Sequence, residues 1–299
     1  MPKKAGVFAA LLLSAISAVS VSAESLNESA ALMLVNTSHR IEKDYEPERT
    51  RIEDTYFYMN SEAAEALIKM LSDMEAELGE APMIISTYRS YEKQETVFNA
   101  DVEKAVKSGA EPEKAAQDTA VYIQLPGASE HQTALAVDLS NDGSLEEDFI
   151  ETEAGKWLEE NCHEYGFIIR YPKEKEEYTG IGYEPWHIRY VGHPFSDIMK
   201  ENNWCLEEFI AYMKRNKMLV WEDSKNIWSL YFTAALDESY DSDTVAYDTN
   251  SGGYVITSKK KKDSVMNVAD YRSRYKEKMH TRLVERLVGA DSKRAEEAD

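Results

Sequence analysis

Residues 126–140 read PGASEHQTALAVDLS, and residues 183–192 read YEPWHIRYVG. In the first stretch Leu135, Val137 and Leu139 alternate with Ala136 and Asp138. That two-residue period is a strand's, with the aliphatic side chains on one face and Asp138 on the other. A carboxylate inside an apolar strand must be paired, hydrogen-bonded or bound to a metal, because burying a bare charge is costly. His131 follows the Pro126-Gly127 turn and so stands at the mouth of this strand. In the second stretch Trp186 to Val191 is a strand with His187 and Arg189 on one face and Ile188 and Tyr190 on the other. Two strands can thereby turn His131, Asp138 and His187 toward one cleft. Two imidazoles and a carboxylate form a three-ligand set that leaves a position open for water, as catalytic zinc requires. Glu184 lies three residues before His187, with Pro185 between them. The proline forbids a helix interior, so this is not the helical H-E-x-x-H zinc motif. A carboxylate there can still serve as general base toward water and then as acid toward a leaving amine.

Outward from these strands, residues 61–78 (SEAAEALIKMLSDMEAEL) form the clearest helix. Ser61 can cap it, and Ala64, Leu67, Ile68, Leu71 and Met74 make its apolar stripe. Pro82–Ser86 reads as a short strand, Glu92–Lys107 as a helix with a second turn near Glu111-Pro112, and Glu153–Tyr165 as a helix ended by Gly166. Phe167–Tyr171 is a strand, 172–182 a charged loop and Leu206–Asn216 a helix. Beyond it, Asn226–Ala235 and Gly253–Thr257 look like strands. Helices and short strands mix without a regular βα alternation, so the expected class is α+β with a mostly antiparallel sheet and flanking helices.

The chain has 299 residues, 34 basic against 55 acidic, for a net charge of −21. Such acidity excludes a nucleic-acid partner, which needs a basic face, and broad docking on anionic membranes. The N-terminus, MPKKAGVFAALLLSAISAVSVSAES, pairs Lys3 and Lys4 with an apolar run and the small residues Val21-Ser22-Ala23. It reads as a secretory signal peptide cut before Glu24, which predicts an extracytoplasmic protein. Cys162 and Cys205 either pair after export or serve as small buried hydrophobes. The expected organisation is a signal peptide (1–23), an N-terminal arm (24–60), a catalytic domain (61–216), a small β extension (217–258) and a charged tail (259–299). The tail holds 12 basic and 8 acidic residues, with Val268, Tyr271, Tyr275, Met279, Leu283 and Leu287 at helical spacing. It is the segment able to contact an anionic cell envelope.

Tyr88-Arg89-Ser90-Tyr91 with Gln94, then 126–140, then YGFIIRYP (165–172) and TGIGYEPWHIRYVG (179–192), closely resemble the D-alanyl-D-alanine carboxypeptidases of the VanY type. The resemblance runs from about residue 31 to 215, its blocks in the family's order. It implies the Hedgehog/D,D-peptidase fold and one zinc ion per chain held by His131, Asp138 and His187. It also implies Glu184 as catalytic base and Arg89 meeting the substrate's carbonyl or carboxylate. Gln94 and Ser129 fall where substrate-contacting polar groups lie, and Trp186 shapes the pocket. The implied substrate is a peptidoglycan stem peptide, which loses its terminal D-alanine. An L,D-carboxypeptidase acting on tetrapeptide stems fits the same motifs. A zinc-fold wall-binding module without turnover is disfavoured by Glu184, and the oligomeric state stays open. One departure is Ala134, where the family pattern S-x-H-x-x-G-x-A-x-D has glycine. If that position needs a positive φ, alanine strains it by about 1 kcal/mol; if glycine is there only for close packing, the metal shifts slightly.

Overall fold

The computed structural model describes residues 27–236, 240, 243–262 and 273. The leader at 1–23 and the apolar stripe from Val268 to Leu287 lie outside the described residues. Strands β1 (Asn27–Ser29), β2 (Thr50–Arg51) and β3 (Tyr58–Met59) lead into helix α1 (Ser61–Leu78). Strand β4 (Met83–Ser86) follows, then α2 (Tyr91–Lys107), α3 (Pro112–Thr119), a 3₁₀ turn (Glu130–Thr133) and β5 (Ala136–Ser140). Next come α4 (Glu153–Asn161), a second such turn (Cys162–Tyr165), β6 (Phe167–Tyr171), α5 (Glu176–Thr179) and β7 (Glu184–Tyr190). Helices α6 (Phe195–Asn202) and α7 (Leu206–Asn216) precede β8 (Met218–Glu222), β9 (Asn226–Thr233), β10 (Thr244–Asp248) and β11 (Tyr254–Lys261).

The central sheet is antiparallel throughout, in the order β4-β5-β7-β6. Its apolar face carries Leu135, Val137, Leu139 and Ile188 and packs against Leu67, Met70 and Met74 of α1 and Trp157 and Leu158 of α4. Each such side chain contributes roughly 1.5–3 kcal/mol of burial free energy. The opposite face, with Asp138 and His187, is left for the cleft.

Helix α1 begins and ends as its pattern requires, but its stripe is turned. The cap is Asn60, whose side chain accepts from the Glu62 and Ala63 amides, rather than Ser61. Ala63, Ala64, Leu67, Met70 and Met74 are buried, while Ile68 is 49% exposed. The expected Glu153–Tyr165 helix is α4 followed by a tighter 3₁₀ turn, and Gly166 ends it at φ 82°. A side chain at Gly166 would meet the Tyr190 ring at 2.8 Å, so both its conformation and its surroundings require glycine.

The C-terminal strands join β1 in a second sheet ordered β1-β10-β11-β9-β8, with β1 parallel to β10. The arm, polar in overall composition, buries its apolar run Ala31–Val35. Leu32 and Leu34 share one core with Phe195 of α6, Phe209 and Met213 of α7, and Leu230, Phe232 and Val255 of this sheet. That core crosses the expected boundaries at 60/61 and 216/217. Cys162 and Cys205 are both buried and unpaired, and burial pushes each thiol up to about 12. No helix among the described residues is long and apolar enough to cross a membrane.

Candidate active site

The register of the central sheet brings the expected ligands together. Asp138 on β5 pairs directly with His187 on β7. Both neighbouring ladders are irregular at this level, between Ile84 and Ser86 and between Ile169 and Tyr171. Bulges of this kind re-aim side chains beside active sites. The second one also accommodates Pro185, which has no N–H to give to a ladder. His131 comes from the 3₁₀ turn just before β5.

His131 Nε2 lies 3.1 Å from Asp138 Oδ2, and His187 Nδ1 lies 2.8 Å from Asp138 Oδ1. One ligand atom from each residue falls within 4.8 Å of the others, and all three residues are buried. The donor set fits an ion of the zinc class: two imidazoles and one carboxylate, closed on the protein side and facing a cavity on the other. His131 Nδ1 donates to the Thr87 carbonyl at 2.7 Å, which leaves Nε2 with its lone pair toward the cluster.

Arg89 and Glu184 stand beside this cluster. Arg89 Nη2 is 3.8 Å from Asp138 Oδ2, and Glu184 Oε2 is 3.9 Å from His187 Nδ1. Burial pushes the Glu184 carboxyl up to about 8, against the pull of His187. Burial, with the Arg89 guanidinium, lowers His131 to about 4. Burial also works against the charged form of His187, but its hydrogen bond to Asp138 prevails and raises it to about 9. Burial likewise opposes the Asp138 carboxylate, yet His131 and His187 hold it well below the usual range. In the absence of a metal, the charged pair of the cluster is Asp138 with His187, while His131 is neutral.

The cavity over the cluster measures about 690 Å³. Its polar end is formed by Arg89, Ser129, His131, Glu184 and His187; Phe57, Val97, Tyr122, Ile123 and Ile181 line the apolar side, and Trp186 also faces it. Gln94 lines it as well but is fully buried: its Oε1 accepts from Arg89 Nη1 at 2.9 Å and its Nε2 donates to the Gln124 carbonyl at 2.6 Å. Both ends of that amide are used within the protein, so Gln94 steadies Arg89. His163 and His193, outside the cluster, share Asp197 through their Nδ1 atoms at 3.1 and 2.7 Å.

Three residues behind the cluster escaped the motif reading. Glu130 accepts from Arg170 Nε and Arg189 Nη1, each at 2.7 Å, and all three side chains are shut off from solvent. The signal was present, because the tripeptide Ile-Arg-Tyr occurs in both β6 and β7. An arginine inside an apolar strand needs a buried anion.

Comparison with known proteins agrees with this geometry. The profile described as VanY, D-alanyl-D-alanine carboxypeptidase, matches residues 56–193. A bifunctional D-Ala-D-Ala dipeptidase and D-Ala-D-Ala carboxypeptidase, VanXYC of Enterococcus gallinarum, is 30% identical over 192 residues, covering 61% of this chain and 94% of that protein. Among solved structures, the LdcB LD-carboxypeptidase is 37% identical with a TM-score of 0.53, covering 60% of this chain and 86% of that one. A VanY D,D-pentapeptidase variant from a VanB-type resistance cassette, in complex with Zn(II), is 32% identical with a TM-score of 0.54, covering 61% and 99%. The antiparallel sheet with its flanking helices is thus the Hedgehog/D,D-peptidase fold. With the matching blocks lying on the strands and turns that build the cluster, the chain belongs to the VanY family of D-alanyl-D-alanine carboxypeptidases, and it is a carboxypeptidase-type peptidase.

Proposed function

We propose that the protein is an exported zinc carboxypeptidase that removes the terminal D-alanine from peptidoglycan stem peptides. The observation that carries this reading is the convergence of His131, Asp138 and His187 within 4.8 Å beneath a cavity walled by Arg89 and Glu184. His131, Asp138 and His187 would hold a zinc ion, which would supply Lewis-acid polarisation of the scissile carbonyl and a more acidic water. Glu184 takes the proton of the attacking water and delivers it to the departing D-alanine nitrogen. Its raised affinity for a proton suits both halves of that task. Arg89, held by Gln94, receives the terminal carboxylate or the developing oxyanion, since a guanidinium keeps its charge and offers forked donors. Ser129 and Trp186 line the seat of the terminal residue. A cavity of about 690 Å³ has room for a stem peptide's end.

The likeness to an LD-carboxypeptidase supports a second reading, in which the substrate is the tetrapeptide stem. Mass spectrometry of synthetic five- and four-residue stems decides between them. Loss of one residue from the pentapeptide is expected, abolished by chelation and restored by zinc. Loss from the tetrapeptide alone selects the L,D reading. Glu184→Ala should keep its zinc and lose at least ~10²-fold in kcat, whereas His131→Ala and His187→Ala should lose stoichiometric metal. If the zinc-loaded protein cleaves neither peptide, the enzyme reading fails.

A further inference from the structure

Two buried polar atoms behind the ligand cluster have no hydrogen-bond partner among the described residues, and they are neighbours. One is His187 Nε2 and the other is Glu130 Oε2, 3.8 Å apart. His187 presents Nδ1 to Asp138, on the ligand side. An imidazole that ligates through Nδ1 carries its proton on Nε2, and that N–H needs an acceptor.

Glu130 is built to be that acceptor. Its Oε1 is taken by Arg170 Nε and Arg189 Nη1. Those arginines are themselves fixed. Arg170 gives both terminal nitrogens to Glu207 of α7, at 2.9 and 2.6 Å, and Arg189 Nη2 reaches the carbonyls of Ala31 and Met33. The Glu130 carboxylate therefore cannot swing away, and its unused oxygen stays beside His187. A buried ion-pair network serving the fold alone has no need to leave one carboxylate oxygen open next to a ligand's free nitrogen.

We propose that Glu130 is the positioning residue of His187: it accepts the Nε2 proton, selects the tautomer that frees Nδ1 for the metal, and fixes the ring's orientation. This rests on the zinc reading above. Closing 3.8 Å to hydrogen-bond length takes a ring tilt of about 1 Å. The two histidines are then supported unequally, His131 by the neutral Thr87 carbonyl and His187 by a charged carboxylate.

The test is zinc affinity, measured by competition with a chromophoric chelator on the wild type and on Glu130→Gln, with circular dichroism to confirm the fold. Glutamine keeps the shape and an acceptor for the arginines but removes the charge. The expected result is a 10- to 100-fold weaker zinc complex in a folded variant. Equal affinity in the two proteins overturns the proposal while leaving the zinc reading intact. A folded wild type that takes up no zinc overturns both. Since Arg189 loses its counter-charge and Arg170 one of its two, Glu130→Gln can also fail to fold, so a second measurement uses the unmodified chain. Ring ¹H–¹⁵N correlation of the zinc-loaded protein should find Nε2 of His187 protonated and protected from exchange. A ring protonated at Nδ1, or an Nε2 proton exchanging freely, overturns the proposal.

Discussion

Ala134 sits between the candidate ligands His131 and Asp138, buried, at φ 60° and ψ 20°. Its carbonyl accepts the Asn60 amide, which ties the turn to the start of α1. A left-handed alanine costs about 1 kcal/mol relative to glycine, so the strain anticipated from the motif is present. Ala134→Gly is expected to leave stability unchanged or raise it by up to about 1 kcal/mol in urea unfolding, against the usual loss for a core alanine. A clear destabilisation would show that the methyl group's packing outweighs the strain. A second expectation concerns the metal-free protein. Glu184 holds its proton up to about 8 and His187 up to about 9, whereas the unfolded chain releases these protons nearer 4.5 and 6.5. The folded state binds more protons across that window, so stability falls as pH rises through it. The melting temperature of chelated protein should drop between about pH 6.5 and 8.5, and less steeply in Glu184→Gln. A rise over this range contradicts the assignment.

At the level of elements, α2 reaches Arg89 through Gln94. Gln94 holds the Arg89 guanidinium, and a hydrogen bond to a charged group is worth roughly 1.5–3 kcal/mol. Gln94→Leu should therefore lower kcat/KM by about 10- to 100-fold with zinc content unchanged, as metal analysis beside peptide kinetics will show. Elements with a strict period and a clear stop were legible in the sequence: Phe167–Tyr171 follows Gly166, and Leu206–Asn216 ends where the sequence pattern puts its stop. Strands β5 and β7 were legible because Asp138 and His187 interrupt otherwise apolar alternation. Strands β8 and β10 were not, since Met218–Glu222 is half-buried at every position and shows no two-residue alternation. The α1 stripe was misaligned because Ile68 and Met70 are equally apolar, and only tertiary packing decides which one faces the sheet.

Across the whole molecule, the family match ends at residue 193, while the second core joins the arm to α6, α7, β9 and β11. That core was hidden because Ala31–Val35 is too short to announce itself inside a polar stretch. Leu32 is fully buried in it, so Leu32→Ala should cost about 2–5 kcal/mol by thermal unfolding, well outside the matched segment. A loss below about 0.5 kcal/mol would mean that the arm is not part of the cooperative unit. The parallel pairing of β1 with β10 has a consequence for the order of assembly. Asn27 and Val245 lie more than two hundred residues apart, so a nascent molecule emerging N-terminus first cannot close this ladder until β10 is out. Closure over so long a loop is slow and comes late. The same arm carries the carbonyls that pin Arg189, so the segment whose ladder closes late also braces the scaffold behind the candidate ligands.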